Sequence, residues 1–452
     1  MTQLPGEPRG PAGLALDEQA SRRQVRLAAL SSVIGTSIEW YDFFLYGTAA
    51  AIVFPSVFFP HTSSYSGTLD SFATYAVGFA ARPVGAAIFG HWGDRLGRKA
   101  TLIVTLLMMG IASALVGVLP GTSSIGVAAP VLLVVLRVLQ GIAVGGEWSG
   151  SVLLSMEWGN QRRRGLMASW PQIGVPVGLL LGTGAMTAIA LSAEGAFKAW
   201  AWRIPFLASL LLVAIGLWIR LKVMETPLFA RLAQRREVAP VPVLEVIRRH
   251  PREIILSAFL RMSEQAPFYL YTTFALAYIE KDLKQAEGLA LGAVSVAAVF
   301  ELVLIPVFGH LSDRLGRRPV YIAGSVLIAA MAFPAFALLN TKVTVLVILG
   351  IVILAIPHAM QYGPQSSYIA ESFPTRLGYA GSGLGYQLAS LIAGGPAPLL
   401  ATWMLPRFGW QAICVYIIAC SVLTLFAAAF LPDRAKADLA PADLSASRAG
   451  AT

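Results

Sequence analysis

Residues 90–99 read Gly90-His-Trp-Gly-Asp94-Arg95-Leu-Gly97-Arg98-Lys99, and residues 309–318 read Gly309-His-Leu-Ser-Asp313-Arg314-Leu-Gly316-Arg317-Arg318. The two copies lie 219 residues apart in a chain of 452 residues. Each copy follows one long apolar run and precedes another, so each is predicted to be a tight, charged hairpin between two buried helices. The chain is therefore predicted to be a duplication with one copy in each half.

The composition predicts a membrane protein. Hydrophobic residues make up 56% of the chain and charged residues only 13%, whereas soluble domains carry about 25% charge. Runs of about 20 apolar residues can each cross a bilayer as a helix. Twelve such runs lie at 28–56, 68–90, 101–119, 129–156, 166–191, 202–221, 254–279, 286–308, 319–339, 343–371, 378–404 and 408–431. We therefore expect an all-α membrane protein with twelve transmembrane helices in two pseudo-symmetric six-helix bundles.

One long charged interruption, residues 222–252, divides six runs from six. The predicted organisation is an N-terminal tail (1–27), a first bundle (28–221), the central linker (222–252), a second bundle (253–432) and a C-terminal tail (433–452). The C-terminal tail has no heptad pattern, so we expect disorder there and no coiled coil.

Lys and Arg are distributed unequally between alternate loops, which predicts the orientation. With the N-terminus inside, the inner loops hold most of these residues: Arg95, Arg98, Lys99, Arg162, Arg163, Arg164, Arg220, Lys222, Arg314, Arg317, Arg318 and Arg376 among them. The positive-inside rule then places both termini in the cytoplasm. The net charge of +10 is explained by this topology and by anionic lipid, and it predicts no nucleic-acid partner.

The two hairpins have a further use besides topology. Gly97 and Gly316 suit tight turns, while Asp94 and Asp313 can accept hydrogen bonds from Arg or from a neighbouring helix N-terminus. A repeated hairpin of this kind is typical of transporters built from two like halves. We predict a latch that closes the cytoplasmic face, formed by Asp94, Arg95, Arg98, Glu157, Asp313, Arg314, Arg317, Glu371 and Arg376; the alternative is that these charges only fix the topology.

Seven ionisable residues lie well inside apolar runs: Glu39, Asp42, Arg137, Glu147, Arg261, Glu264 and Glu301. A central charge costs about 2.5–3.5 kcal/mol to insert, so seven unpaired charges would cost roughly 20 kcal/mol. Such residues therefore require a water-lined cavity, partners or neutralisation, and they indicate a pathway for a solute and protons.

Glu39 and Asp42 are three residues apart and share one face of the first helix, with Tyr46 one turn beyond Asp42. Two carboxylates so close in a low dielectric cannot both ionise readily, so at least one is expected to hold a proton. A carboxyl that holds a proton beside a movable arginine would act as a proton switch, because deprotonation lets it recapture the cation. The alternative is a static buried pair that fixes helix packing.

The hairpins resemble the cytoplasmic loop motif of the major facilitator superfamily. Further runs resemble its metabolite:proton symporter family: Glu39-Trp-Tyr-Asp-Phe-Phe-Leu-Tyr-Gly47, Ala81-Arg-Pro-Val-Gly85, Gln140-Gly141 with Gly145-Gly-Glu-Trp148, Trp202-Arg-Ile-Pro-Phe206, Tyr362-Gly-Pro-Gln365 with Glu371 and Pro374, and Gly385-Tyr-Gln387. The resemblance covers roughly residues 25–432.

The resemblance implies proton symport of a small metabolite, such as shikimate, 2-oxoglutarate, citrate, proline or betaine, across a bacterial inner membrane. Asp42 and Arg137 match the helix 1 Asp and helix 4 Arg that couple protons in related sugar symporters. We therefore expect uptake of a small carboxylated metabolite, driven by the proton-motive force without a cofactor, by a monomer with no obligatory protein partner.

Polar residues within the apolar runs are candidates for a substrate cavity, or else satisfy neighbouring helices. The candidates are Tyr46, Gln140, Glu147, Arg261, Glu264, Glu301, His358, Gln361, Tyr386 and Gln387. His358 is either a core histidine or a proton site, and any of Arg82, Arg137 and Arg261 could meet a carboxylate.

Other function classes have less support. The sequence has no His-x-x-x-His, no Gly-x-Ser-x-Gly, no metal-ligand spacing and no Gly-x-x-x-x-Gly-Lys-Ser/Thr, which argues against an enzyme and against an ATP-driven pump. A proton-independent facilitator remains open. So does an exporter, because Gly174-Val-Pro-Val-Gly178 partly matches the signature of drug antiporters.

Overall fold

The computed structural model describes residues 18–60, 64–193, 195–234 and 239–436. In these ranges every regular element is a helix. The first half contains six long helices, which we number as spans 1 to 6: Glu18–Ile52, Ser64–Leu96, Arg98–Val118, Ala128–Trp158, Arg164–Ser192 and Arg203–Lys222.

The second half repeats this arrangement with more irregular helices. Span 7 consists of Pro251–Leu260, Met262–Tyr269 and Ala275–Ala277 with the π-helical turns Leu270–Phe274 and Tyr278–Asp282. Spans 8 to 10 are Glu287–Leu315, Arg317–Asn340 and Thr344–Ala370. Span 11 begins with Gly378–Ala389, passes through a π-turn at Ser390–Gly394 and continues to a bend at Gly409, after which span 12 runs over 410–430. π-Turns are frequent at functional sites.

The twelve predicted membrane helices are therefore confirmed. Within the described ranges eight helices are long and apolar enough to cross a membrane by composition alone, with spans 11 and 12 counted as one. Spans 1, 2 and 7 are not among them, and each carries buried charges, such as Asp42, Arg82 and Arg261. The charged residues that make these spans less hydrophobic are also residues of the candidate site.

The hairpins are shorter than the sequence predicts. Spans 2 and 8 do not end near residues 90 and 308 but continue to Leu96 and Leu315, and the next helix begins two residues later. Each turn is a single glycine with a positive φ, 112° at Gly97 and 103° at Gly316, a conformation that a Cβ disfavours. The Asp of each motif therefore lies in the last turn of one helix, and the following Arg lies in the first turn of the next.

Small residues allow close helix packing, as the Gly-rich fifth helix predicts. A Cβ on Gly174 would lie 2.6 Å from Thr36 Cβ, and one on Gly178 would lie 2.6 Å from Trp40 Cβ, both in span 1. Gly184 is different, because no described residue of another element lies within 4 Å of its Cβ position.

The central linker is partly helical and lies against the bundles. It contains Pro227–Gln234, which buries Phe229 and Leu232, and Pro242–Arg249, which buries Pro242 and Val246. The linker thus presents one apolar face to the protein, which its high charge in the sequence does not reveal.

Candidate functional site

Asp94, at the end of span 2, joins the two halves. Its carboxylate accepts hydrogen bonds from the backbone N–H groups of Tyr379 (3.1 Å) and Ala380 (2.9 Å) in the first turn of span 11. Asp94 is 2% exposed. A carboxylate at a helix N-terminus satisfies free N–H groups and the positive end of the helix dipole.

Asp313, at the end of span 8, makes the symmetry-related contact. It accepts from the backbone N–H groups of Gly165 (2.7 Å) and Leu166 (3.0 Å) in the first turn of span 5. Each half therefore caps a helix of the other half. We call the end of the molecule that carries these contacts and the Gly97 and Gly316 turns the hairpin face.

Buried arginines connect these aspartates to the predicted glutamates. Arg98 lies 3.5 Å from Asp94 and 3.4 Å from Glu157. In the second half, Arg317 lies 2.7 Å from Asp313 and 3.1 Å from Glu371.

Arg164 adds another link across the halves, 2.8 Å from Glu371. The hairpin face is thus closed by two networks of charge-assisted hydrogen bonds, each of which spans both bundles.

Span 1 places Asp42 and Glu39 on a small cavity inside the first bundle. Asp42 accepts a hydrogen bond of 2.6 Å from Ser209 of span 6. Oε2 of Glu39 and Oδ2 of Asp42 have no hydrogen-bond partner among the described residues. Both carboxylates are buried.

Arg137 lines the same cavity but makes no ion pair with Asp42. Its guanidinium lies over the rings of Tyr46 (4.3 Å) and Tyr75 (4.9 Å) and donates to Gln140 Oε1 at 3.3 Å. Gln140 in turn donates to Ser113 at 2.8 Å. In this conformation the predicted switch residues share one cavity without direct contact.

Arg82 also lines this cavity. Its guanidinium lies 4.5 Å from the ring centre of Phe79 and 4.9 Å from that of Phe43. The part of the chain that the structure describes places no carboxylate within 4.0 Å of it. Arg82 is 3% exposed, so it is a buried cation that lies on aromatic faces.

The second bundle gathers its charges into one cluster. Arg261 donates to Glu264 (3.1 Å), to Gln365 (3.2 Å) and to the carbonyl of Tyr386 (2.5 Å). His358 Nδ1 lies 2.6 Å from Glu301 Oε1. The guanidinium of Arg261 also lies over the Tyr386 ring at 3.3 Å.

Aromatic residues close the space between the bundles. The Trp148 ring stacks on Tyr386 with centres 3.6 Å apart, and Trp148 donates to Gln172 at 2.9 Å. Further out, Trp40 of span 1 meets Phe268 of span 7 edge-on at 5.8 Å. The two charged sites therefore lie on either side of a shared aromatic interface.

Known protein families and relatives share this architecture. A family model described as "Sugar (and other) transporter" matches residues 28–254, and one described as "Major Facilitator Superfamily" matches residues 265–451. The chain is 40% identical over 423 residues to the shikimate transporter of Escherichia coli (strain K12), covering 92% of this chain and 97% of that protein. The chain belongs to the major facilitator superfamily.

This transporter also resembles the proline/betaine transporter of Salmonella typhimurium, at 33% identity over 84% of this chain and 78% of that protein. Among solved structures, the proton:xylose symporter XylE bound to 6-bromo-6-deoxy-D-glucose matches with a TM-score of 0.73 at 17% identity, covering 92% of this chain and 97% of that one. The predicted family and fold are thus confirmed, and these relatives are transporters, not enzymes.

Three predicted residues of the transporter lie outside the arrangements described above, and a fourth, Gln361, bonds to a neighbouring helix. Glu147 does not line the cavity: it pairs with Arg220 and accepts from Thr105 (2.8 Å) and Ser151 (3.0 Å). Gln361 accepts from Ser263 within the second bundle. Arg95 and Arg314 are exposed and lie outside the latch networks.

The remaining predicted residues have defined contacts. Tyr46 shares a hydrogen bond of 2.7 Å with Thr74 beneath Arg137. Gln387 donates to the Val144 carbonyl across the halves at 3.4 Å. Arg376 pairs with Glu245 of the central linker, at the edge of the hairpin face.

Sequence reasoning misjudged one important residue and missed two others. Arg220 was counted as a topological charge, but it is 2% exposed and holds Glu147. Glu225 and Asp433, which directly follow the last span of each half, accept from the backbone N–H groups of Lys99 (3.2 Å) and Arg318 (3.0 Å). An acid at the same place in both halves is a signal that a comparison of the halves could have detected.

The beginning of the C-terminal tail corrects the expectation of disorder. Arg164 donates to the carbonyls of Arg434 (2.9 Å) and Ala435 (3.3 Å), and Arg434 donates to the Glu371 carbonyl at 3.3 Å. The rest of the tail, 437–452, lies outside the described residues, as do residues 1–17 of the N-terminal tail.

No metal site is evident in the described ranges, where no group of three or more His, Cys, Asp or Glu side chains is placed to hold a metal ion. Cys414 and Cys420 are buried, free thiols in span 12.

Proposed function

We propose that this transporter imports a small carboxylated metabolite together with protons, by alternating access, across the cell inner membrane. Its similarity to the Escherichia coli shikimate transporter supports the substrate class. The proton-motive force is the proposed energy source. Per 100 mV, each charge that moves inward supplies about 2.3 kcal/mol, or about fifty-fold accumulation.

One observation carries the proposal: the cavity of the first bundle contains two carboxylates and two arginines that are not paired with one another. Glu39 and Asp42 face the same space as Arg82 and Arg137, yet no ion pair joins them among the described side chains. A static structural network would pair such charges, because an unpaired buried charge is unfavourable. Unpaired groups of both signs suit a site that exchanges partners during a cycle.

Asp42 is the proposed proton carrier, and Arg137 is its partner. With a proton on Asp42, the carboxyl is neutral and Arg137 is free to stay on the rings of Tyr46 and Tyr75, as observed. When the cavity opens to the cytoplasm and the proton leaves as hydronium, the carboxylate attracts Arg137. Arg137 then leaves the position that favours an anionic substrate, and the substrate is released.

Arg82 is the proposed anchor for the substrate carboxylate. It offers guanidinium donors with no acidic partner, on a rigid support formed by Phe43 and Phe79. A guanidinium binds a carboxylate through two parallel hydrogen bonds. Arg261 is less suited to this role, because Glu264, Gln365 and the Tyr386 carbonyl already accept from it.

The hairpin face is proposed to be the cytoplasmic face, with both termini on that side. Support comes from the excess of Arg and Lys at this end of the molecule. Reporter fusions at Arg163 should read cytoplasmic, and fusions at Lys342 should read periplasmic. A periplasmic signal from Arg163 would reverse the direction of the proposed cycle.

The test uses the purified full chain in proteoliposomes with an inward proton gradient. Radiolabelled shikimate is the first probe, and a thermal-shift screen of organic acids, betaines and amino acids selects further probes because a bound ligand stabilises the protein. Asp42→Asn mimics the protonated state, so it should still exchange substrate but lose accumulation. Glu280→Gln, an exposed acid of span 7, is the matched control.

Other outcomes separate the alternatives. If Asp42→Asn still accumulates substrate with normal pH dependence, another acidic residue carries the proton. Uptake that equilibrates but ignores the proton gradient would identify a facilitator, and outward movement driven by inward protons would identify an exporter.

A further inference from the structure

We propose that Glu264, His358 and Glu301 form a second proton-binding site, in the second bundle and separate from Asp42. The proposal rests on the proposed function, because it concerns the number of protons that accompany the substrate. Its basis is the geometry of the buried charges of spans 7, 8 and 10.

His358 bridges two carboxylates. Its Nδ1 lies 2.6 Å from Glu301 Oε1, and its Nε2 lies 3.5 Å from Glu264 Oε1. The exposures of His358, Glu264 and Glu301 are 1%, 2% and 3%. Nδ1 hydrogen-bonds with Glu301, whereas Nε2 lies within ion-pair distance of Glu264 without a hydrogen bond. The imidazole can therefore take up a proton while it lies between two acids.

The charge balance of the cluster requires one bound proton. Arg261 is the only fixed cation that contacts it in the described residues, through Glu264 at 3.1 Å. One carboxylate is thereby neutralised, and the other is neutralised only when His358 is a cation or when Glu301 is protonated. Without that proton the cluster has one net negative charge in a buried site, which costs several kcal/mol.

The other groups that face the cluster cannot replace this proton. Tyr271 donates to Glu301 at 2.7 Å, and Gln365 donates to Glu264 at 2.9 Å. From each packed element the titratable groups are Arg261, Glu264, Tyr269 and Tyr271 of span 7, Glu301 of span 8, Tyr321 of span 9, Tyr362 of span 10 and Tyr386 of span 11. Tyrosines donate hydrogen bonds here but supply no positive charge.

His358 also contacts the surface where the two bundles meet. Its ring lies between Phe268 (centres 5.0 Å apart, planes at 25°) and Tyr362 (5.1 Å, 22°). Phe268 meets Trp40 of span 1, and the Tyr362 carbonyl accepts from Gln172 of span 5 at 3.3 Å. Protonation or deprotonation of His358 therefore changes the packing around Phe268 and Tyr362, which contact residues of the first bundle.

The proposed step moves one proton and no electrons. A proton from water on the far side, opposite the hairpin face, binds the His358–Glu301 pair, and the cluster changes from one net negative charge to neutral. After alternation the proton leaves to water at the hairpin face, and the cluster regains its negative charge. Together with Asp42, whose switch with Arg137 remains necessary for net uptake, this gives two protons per cycle, so transport of a monocarboxylate would carry one net positive charge inward.

The first experiment needs no substrate. Infrared pH-difference spectra and potentiometric titration of the purified full chain count the protons that its buried carboxyl and imidazole groups exchange. His358→Gln and Glu301→Gln should each remove one proton and the same spectral component, Asp42→Asn should remove a different component, and Glu280→Gln should remove neither. Size-exclusion chromatography and thermal melting establish that each variant is folded. An unchanged titration of folded His358→Gln and Glu301→Gln would overturn the proposal.

The second experiment tests whether each transport cycle carries one net positive charge inward. Proteoliposomes loaded with potassium and treated with valinomycin have an inside-negative potential at equal pH, and shikimate serves as the probe. The wild type should accumulate shikimate by up to about fifty-fold per 100 mV, whereas His358→Gln should lose this response while a pH gradient still drives its slower uptake. Equal voltage responses would overturn the second site. Wild-type protein that ignores both gradients would contradict the proposed function, and the titration would still decide the second site.

Discussion

Asp94 of span 2 accepts a hydrogen bond of 2.9 Å from the backbone N–H of Ala380 in span 11, although the two residues belong to different halves of the chain. Asp313 makes the equivalent contact with Gly165 of span 5 at 2.7 Å. Each contact joins a carboxylate to a helix N-terminus, and each must break before the hairpin face can open. The duplicated motif therefore joins the two halves reciprocally in this structure, as the predicted latch requires.

Asp94→Asn combined with Asp313→Asn should weaken the closed state of the hairpin face. An amide still accepts a hydrogen bond but loses the charge interaction with the helix dipole, which is worth about 0.3–1 kcal/mol for an exposed site and up to about 2 kcal/mol for a buried one. We expect transport to slow while substrate affinity changes little. Transport rate and affinity are measured separately, by proteoliposome uptake and by thermal shift.

Arg314→Gln is the matched control for the latch, because Arg314 is exposed and belongs to the same motif without entering the network. Both proteins should insert with the same topology. Normal transport by the double aspartate variant would leave these charges with only the topological role.

Arg82→Gln should weaken substrate binding more than turnover. The variant removes the cation on the Phe43 and Phe79 rings, and a hydrogen bond to a charged group contributes about 1.5–3 kcal/mol. The expected rise in KM for an anionic substrate is about 10- to 100-fold, with partial recovery in Arg82→Lys. An unchanged KM in both variants would assign the carboxylate to another cation, with Arg137 next.

The latch could be predicted from the sequence because duplication shows the same Asp, Gly and Arg twice at helix ends. Arg220 could not be predicted in the same way. Arg220 stands among the basic residues that end span 6, and the sequence pattern there is identical for an exposed topological charge and for the partner of Glu147. Only the packing of spans 4 and 6 distinguishes them, by burying Arg220 to 2% exposure.

The sequence predicted which switch residues line the cavity, but not which of their side chains contact one another. Residue spacing places Glu39 and Asp42 on one helix face, and the structure keeps them on one cavity. Spacing says nothing of the distance to a residue on another helix, so it could not show that Arg137 lies on Tyr46 and not on Asp42. The His358 bridge was missed for the same reason, because its three members come from three spans.

Gly178→Ala should destabilise the first bundle. The added methyl group would lie 2.6 Å from Trp40 Cβ and 2.7 Å from the backbone nitrogen of Tyr41, and overpacking of this kind costs about 1–3 kcal/mol. Gly184→Ala, six residues along the same helix, meets no described residue of another element within 4 Å and should be neutral or stabilising, because alanine is the better helix former. Thermal melting in detergent measures both, and equal melting temperatures would contradict the close contact between spans 1 and 5.

Glu147→Gln should lower stability without acting on the substrate directly. The variant leaves Arg220 as a buried cation without its carboxylate, and breaking a buried pair from one side costs about 3–5 kcal/mol. Replacement of both partners, Glu147→Met with Arg220→Met, leaves no unpaired charge and should recover much of the melting temperature. In the folded double variant KM for the substrate should match that of the wild type, since Glu147 is bound by Thr105 and Ser151 and does not line the cavity. A large increase in KM with full recovery of stability would return Glu147 to the substrate site, where the sequence first placed it.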